Sequence, residues 1–109
     1  MISFVISTFP DEETAARVVR DLVEKKLTAC GTIVPKVRSI YSWNNEICDS
    51  EEALVIFKIS QFSFTEFEIA LKNVHPYEVP EIVAFDAQAA SEAYVNWVLQ
   101  NSGSTKAKA

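Results

Sequence analysis

The sequence predicts an α+β sandwich: a four-stranded antiparallel sheet with helices on one face, in the order β-α-β-β-α-β, followed by one extra helix. Three observations predict it. Segments with strand-like and helix-like hydrophobic periods alternate along the chain. The two middle strands are joined by an Asn-Asn turn, which makes them a hairpin. Right-handed crossovers leave few other ways to close such a sheet, and the result is the split βαβ arrangement known as ferredoxin-like. The 109 residues fit one domain, assigned to residues 1–100.

The elements follow in order. Ile2 to Thr8 is rich in β-branched and aromatic residues and predicts a strand. Pro10 sits just before or within the first turn of a helix, and Asp11, Glu12 and Glu13 suit the positive end of its dipole. Ala15, Val18, Val19, Leu22 and Val23 form its apolar face, and Lys25 and Lys26 suit its C-terminal end. Leu27 to Tyr41 is extended, with a bend expected at Gly31 or Pro35. Ser42 to Glu46 is the hairpin turn, since Asn44 and Asn45 tolerate positive φ. Glu51 to Ile59 is the returning strand. Ser63-Phe64-Thr65-Glu66 predicts a capping box for a helix whose buried side carries Phe64, Phe67, Leu71 and Val74. Pro76 stops that helix, and Pro80 to Ala87 is the fourth strand. Ser91 caps a last helix with Tyr94, Val95, Val98 and Leu99 on its buried side. Residues 101–109 hold Ser, Gly, Lys and Ala without periodicity and predict a disordered tail. The central hairpin, from about residue 29 to about residue 59, is longer than the other strands require. Its tip carries Tyr41 and Trp43, which calls for a second surface to receive them.

Composition narrows the function. Apolar residues make up 49% of the chain, a generous load for so small a domain, and part of it suits a subunit interface. The net charge of −5 repels phosphate backbones, so a nucleic-acid partner is not expected. No apolar run is long enough for a membrane span. Met1 leads straight into a strand with no basic region or cleavage site, so a cytoplasmic protein is expected. Cys30 and Cys48 form no CxxC or zinc-type spacing, and two free thiols are the default in that compartment. The chain has only Gly31 and Gly103, hence no phosphate loop, and no nucleophile–histidine spacing stands out; no enzyme is expected. The pairs Glu12-Glu13 and Glu51-Glu52 look like solvated turn or face residues.

The densest chemistry lies in His75-Pro76-Tyr77-Glu78-Val79-Pro80-Glu81. Each proline biases the residue before it toward extended backbone. The segment is thus a stiff connector that aims polar side chains from the lip of a strand, or one that merely joins a helix to a strand. His75 offers an imidazole, and Glu81 or Glu78 a carboxylate, to a divalent metal. Cys30 is either a soft ligand or a small buried apolar group. One His and two separated Cys cannot fill a tetrahedral site alone, so further donors, from carboxylates or a second subunit, are required.

Several motifs carry a resemblance over about residues 3–99. They are Thr8-x-Pro10 with Ala15-Ala16; Leu22-Val23-Glu24-Lys25-Lys26-Leu27-Thr28-Ala29-Cys30; Val34-Pro35; Ser39-Ile40-Tyr41-Ser42-Trp43; Glu52 with Leu54 and Lys58; His75 to Ile82; and Tyr94-Val95-x-Trp97. In these the chain resembles the CutA family of divalent-cation tolerance proteins. It departs from the family pattern at Asn45, Ile59, Asp86 and Ala90, all at turns or strand ends. The resemblance implies a cytoplasmic homotrimer in which hairpins embrace neighbours, tolerance of divalent metals and copper above all, and no catalysis. No cofactor is required; copper or another divalent metal is the implied ligand. By motif match the metal residues would be His75, Glu81 and Cys30, and Tyr41, Trp43, Tyr77 and Glu78 would line an interface or ligand cleft. The alternative is a trimeric module built like the PII signalling proteins, taking a small ligand or a protein partner at subunit clefts.

Overall fold

Hydrogen bonding among the described residues gives eight elements. The computed structural model describes residues 1–103. Strand β1 (Ile2–Phe9) leads to helix α1 (Glu12–Glu24), then to the hairpin of β2 (Cys30–Trp43) and β3 (Glu46–Ser60). A single 3₁₀ turn (Gln61–Ser63) precedes helix α2 (Phe64–Val74), strand β4 (Val83–Asp86) and helix α3 (Glu92–Asn101). The sheet order is β2-β3-β1-β4, antiparallel throughout, which is the expected split βαβ topology plus the extra helix. No helix of the described residues is long and apolar enough to cross a membrane.

Alternation along β1 sets the layers. Val5 and Phe9 face α1 and α2 and join Phe57, Val55, Ile59, Leu22, Phe67 and Leu71 in the main core. Ile2 faces the other way and packs with Ala29 and Val98 under α3. Helix α3 therefore covers one end of the second face only. The rest of that face stays open: Val83 and Phe85 are about half exposed and Val34 is partly so. Gly31 lies directly under Val19 of α1, and a Cβ there would lie 2.8 Å from a Val19 methyl.

Local chemistry explains the ends of α1. Asp11 is the N-cap, with extended backbone, and its Oδ1 accepts from the Thr14 N–H at 2.7 Å. That bond holds its carboxyl below the usual carboxylate range. At the C-terminus the Leu27 N–H returns to the Leu22 carbonyl and the Lys26 N–H to the Val23 carbonyl, each at 3.0 Å. This is the Schellman pattern, with Lys26 at φ 57° in the position glycine usually takes. Thr28, fully buried, then ties the turn down by donating to the Cys30 and Lys58 carbonyls.

The hairpin is longer on its return arm than expected, beginning at Glu46 rather than Glu51. Asn44 and Asn45 both have positive φ, 52° and 65°, and close it as the expected two-residue turn. Its inner half pairs in phase from Cys30↔Lys58 to Val34↔Leu54. The register then shifts between Val34 and Val37, so the expected bend falls at Pro35 and not at Gly31. Beyond it, seven rungs from Val37↔Glu52 to Trp43↔Glu46 have no third strand beside them among the described residues. That arm projects by roughly 20–24 Å at the usual rise per residue. The molecule is accordingly 47 × 27 × 23 Å, with a radius of gyration of 14.4 Å; a compact chain of this length would show about 13 Å.

Other expectations need correction. Val23 is 37% exposed, because it sits at the rim of the apolar stripe. Ser63 makes no capping bond: the 3₁₀ turn feeds straight into α2, so its backbone is not extended, and its Oγ is buried without a partner. Ser60 caps that turn instead, accepting from the Phe62 N–H. Strand β4 is four residues, Val83–Asp86, and not Pro80 to Ala87, since it pairs only with Ser3 to Ile6 at the sheet edge. On α2 and α3 only Phe67, Leu71 and Val98 are buried; Val74 and Tyr94 are partly exposed. Ser91 does cap α3, accepting from the Tyr94 N–H. The tail does not start at residue 101. Asn101 closes α3, the buried Ser102 Oγ accepts from the Ser60 N–H at 3.0 Å, and the Gly103 N–H donates to Lys26. The remainder of the expected tail, 104–109, lies outside the described residues.

Candidate functional site

The site forms where the projecting hairpin meets the Pro-bounded connector. Pro76 keeps His75 extended, with ψ 135°, and the His75 N–H still closes the last turn of α2 by donating to Leu71. The imidazole turns inward. It is 9% exposed and stacks on Phe9 with ring centroids 4.4 Å apart. Its Nδ1 accepts from the Tyr77 N–H at 3.1 Å. An amide nitrogen can only donate, so the proton sits on Nε2, which donates to the Thr8 carbonyl at 2.9 Å and lies 3.1 Å from Ser7 Oγ. Burial pushes the pKa of His75 below 6.5, partly offset by the Thr8 carbonyl and by Glu52. Both ring nitrogens are thus spent on holding the connector against β1.

That anchoring throws Tyr77 outward over the foot of the hairpin, where its hydroxyl donates to Glu52 Oε2 at 2.6 Å. Burial, and then this bond, hold the Tyr77 hydroxyl well above its ordinary pKa, so it stays a donor. Glu52 is 7% exposed. It was expected to be a solvated strand residue, one of an acidic pair. Alternation alone does not find it: Glu51 is the one in phase with the core residues Ala53, Val55 and Phe57, whereas Glu52 shares the opposite face with Leu54 and Ile56 and is covered there by Tyr77.

Parity selects the aromatic wall. Before the bulge, the even residues of β2 share the face of Leu54; after it, the odd ones do. Ser39, Tyr41 and Trp43 are therefore brought to the side of Glu52. With Thr8, Pro76, Tyr77, Glu78, Val79 and Glu81 they line a cavity of about 520 Å³. Tyr41, Trp43, Tyr77 and Glu78, expected at an interface or ligand cleft, are thus brought together in one place.

The expected metal set is not assembled by one chain. Glu81 lines the cavity, His75 lies behind Tyr77, and Cys30 sits opposite Lys58 near the far end of the sheet. Cys30 is half-buried beside Tyr94, whose hydroxyl pKa is raised by burial and then by that thiol. Among the described residues no group of three or more His, Cys, Asp or Glu is placed to hold a metal ion. The donors present therefore do not fit a metal within a single subunit.

Comparison with known proteins agrees with this fold. Residues 3–101 match the family described as CutA1 divalent ion tolerance protein. A divalent-cation tolerance protein CutA of Thermus thermophilus is 38% identical over 103 residues, covering 94% of this chain and all of that one. A human Protein CutA is 33% identical; it is matched over 91% of this chain but only 55% of its own length. Among solved structures, CutA1 of Pyrococcus horikoshii superposes with a TM-score of 0.89 at 32% identity, over 95% of this chain and all of that one. A CutA of Archaeoglobus fulgidus, described as a periplasmic divalent cation tolerance protein, superposes at 0.86 with 31% identity, over 90% of this chain and 95% of that one.

Proposed function

The chain belongs to the CutA1 divalent ion tolerance family, and from that premise we propose that it is a metal-response protein that works as a cytoplasmic homotrimer and catalyses no reaction. The observation that carries the assembly is the combination of an open apolar sheet face with a projecting hairpin arm that the described residues cover only at its foot. Val83, Phe85, Ile40, Tyr41, Trp43 and Ile47 are 43–78% exposed. Burying such surfaces on neighbours is the usual remedy. Copper or another divalent metal then binds at a junction between subunits. Glu81 is this chain's donor there, further donors come across the interface, and His75 serves by fixing the connector that carries Glu81.

Sedimentation equilibrium tests the assembly; a folded monomer at micromolar concentration would sink it. Calorimetric titration with Cu(II) tests the metal, and Glu81→Gln is expected to weaken binding. Absence of Cu(II) binding by the wild-type assembly removes the metal-binding part of the proposal.

A second reading, a PII-like signalling module that takes a small ligand at subunit clefts, is favoured by the cavity itself. Its volume lies within the range usual for small-molecule sites, and its wall mixes aromatic, apolar and a few polar groups.

A further inference from the structure

Three carboxylates, Glu52, Glu78 and Glu81, line the cavity beside Tyr41, Trp43 and Tyr77, and among the described residues no Lys, Arg or His lines it. The ion pairs among the described residues are Asp21–Lys25, Arg38–Asp49 and Glu68–Lys72, and none includes a cavity carboxylate. Glu52 is more than nine-tenths buried. A buried carboxylate is costly without a cationic partner, and one neutral hydroxyl donor offsets only part of that cost. Trp43 and Tyr41 hold large apolar rings beside it that their own chain leaves 45% and 43% exposed.

We propose that this cavity binds a small organic ammonium ion, with its cationic head on Glu52 and its hydrocarbon stem between Tyr41, Trp43 and Tyr77. The inference rests on the small-ligand reading above and names its chemistry. An ammonium head supplies the missing positive charge and hydrogen-bond donors to the carboxylate. Aromatic faces attract such cations and shed water onto an apolar stem. A bare divalent ion has less claim, since it needs several converging oxygen or nitrogen ligands, and no such group exists among the described residues. An organic anion is repelled by three carboxylates. Pro76 and Pro80 keep the connector stiff, which lowers the ordering cost of binding.

The test is calorimetric titration of the intact assembly with phenethylammonium chloride and, separately, with sodium 3-phenylpropionate, which keeps a ring and stem but reverses the charge. The cation should bind saturably, and the anion at least about tenfold more weakly. Glu52→Gln should weaken the cation about tenfold, and Glu81→Gln, at an exposed residue that does not threaten folding, about threefold. The same affinity for both probes, or a cation affinity unchanged in both variants, overturns the proposal. Saturable binding of the anion alone overturns it while leaving the small-ligand reading standing; binding of neither probe overturns both. Sedimentation in saturating phenethylammonium should show an unchanged mass. Dissociation would instead mean that a second copy of the chain fills the cavity, and would also overturn the proposal.

Discussion

The Tyr77 hydroxyl and the Glu52 carboxylate, 25 residues apart in sequence, meet at 2.6 Å and fasten the connector after α2 to the foot of the hairpin. Tyr77 is in turn aimed by His75, whose Nδ1 holds the Tyr77 amide. The only histidine therefore acts one step behind the cavity wall and not in it.

Removing the hydroxyl should be felt in stability. Tyr77→Phe leaves the buried Glu52 carboxylate without that donor, at a cost of roughly 1.5–3 kcal/mol. Urea unfolding measures it. A midpoint equal to that of the wild type would mean that solvent reaches Glu52 freely.

His75 should also give the fold a pH dependence of predictable sign. Its folded pKa is depressed below the unfolded value of 6.5, chiefly by burial. Its contribution is therefore complete above about pH 6.5 and is lost as pH falls toward the folded value, because the unfolded chain takes up the proton first. His75→Asn should flatten this part of the stability profile. Equal slopes below pH 6.5 in the two proteins would show that His75 is not held neutral.

Gly31→Ala should destabilise the subunit by roughly 1–3 kcal/mol, since the new methyl would press on both Val19 methyls at 2.8 and 2.9 Å. The double variant with Val19→Ala should recover part of the loss. Thermal unfolding of the four-member cycle would test this, and full additivity would place the strain elsewhere.

Trp43→Ala should weaken assembly more than it weakens the subunit. Trp43 lies at the far end of the hairpin, 45% exposed and outside the buried core. Buried on a neighbour, such a residue often contributes at least about 2 kcal/mol. Sedimentation equilibrium together with the melting temperature decides it. An unchanged mass distribution and melting point would mean that no neighbour receives it.

Much of the architecture was legible in the sequence, because periodicity and turn chemistry are local. The Asn44-Asn45 turn, the Ser91 cap and the Phe67–Leu71 face were all readable within a few residues. What escaped depends on distant partners. Ser63 has the residues of a cap but not the backbone for one, since the preceding 3₁₀ turn is fixed by Ser60. Ser102 looks like tail and is buried only because the Ser60 amide finds it. His75 looks like a free ligand until Phe9, Thr8 and Tyr77 close around it. Glu52 looks like half of a solvated pair until Tyr77, 25 residues away, closes over it on the face opposite the core.

The bulge between Val34 and Val37 lets the hairpin absorb an odd residue of length. Because Val37, Ser39, Tyr41 and Trp43 lie across from Glu52, Ser50, Cys48 and Glu46, losing one residue at the bulge would restore regular pairing and leave the aromatic wall on the side of Glu52. The extra residue thus sets the twist and aim of the arm and not which side chains share its faces. Chains with one residue fewer there would keep both the fold and the wall on a straighter arm, and adding a matched pair of residues on either side of Asn44-Asn45 would lengthen the arm and leave that wall where it stands.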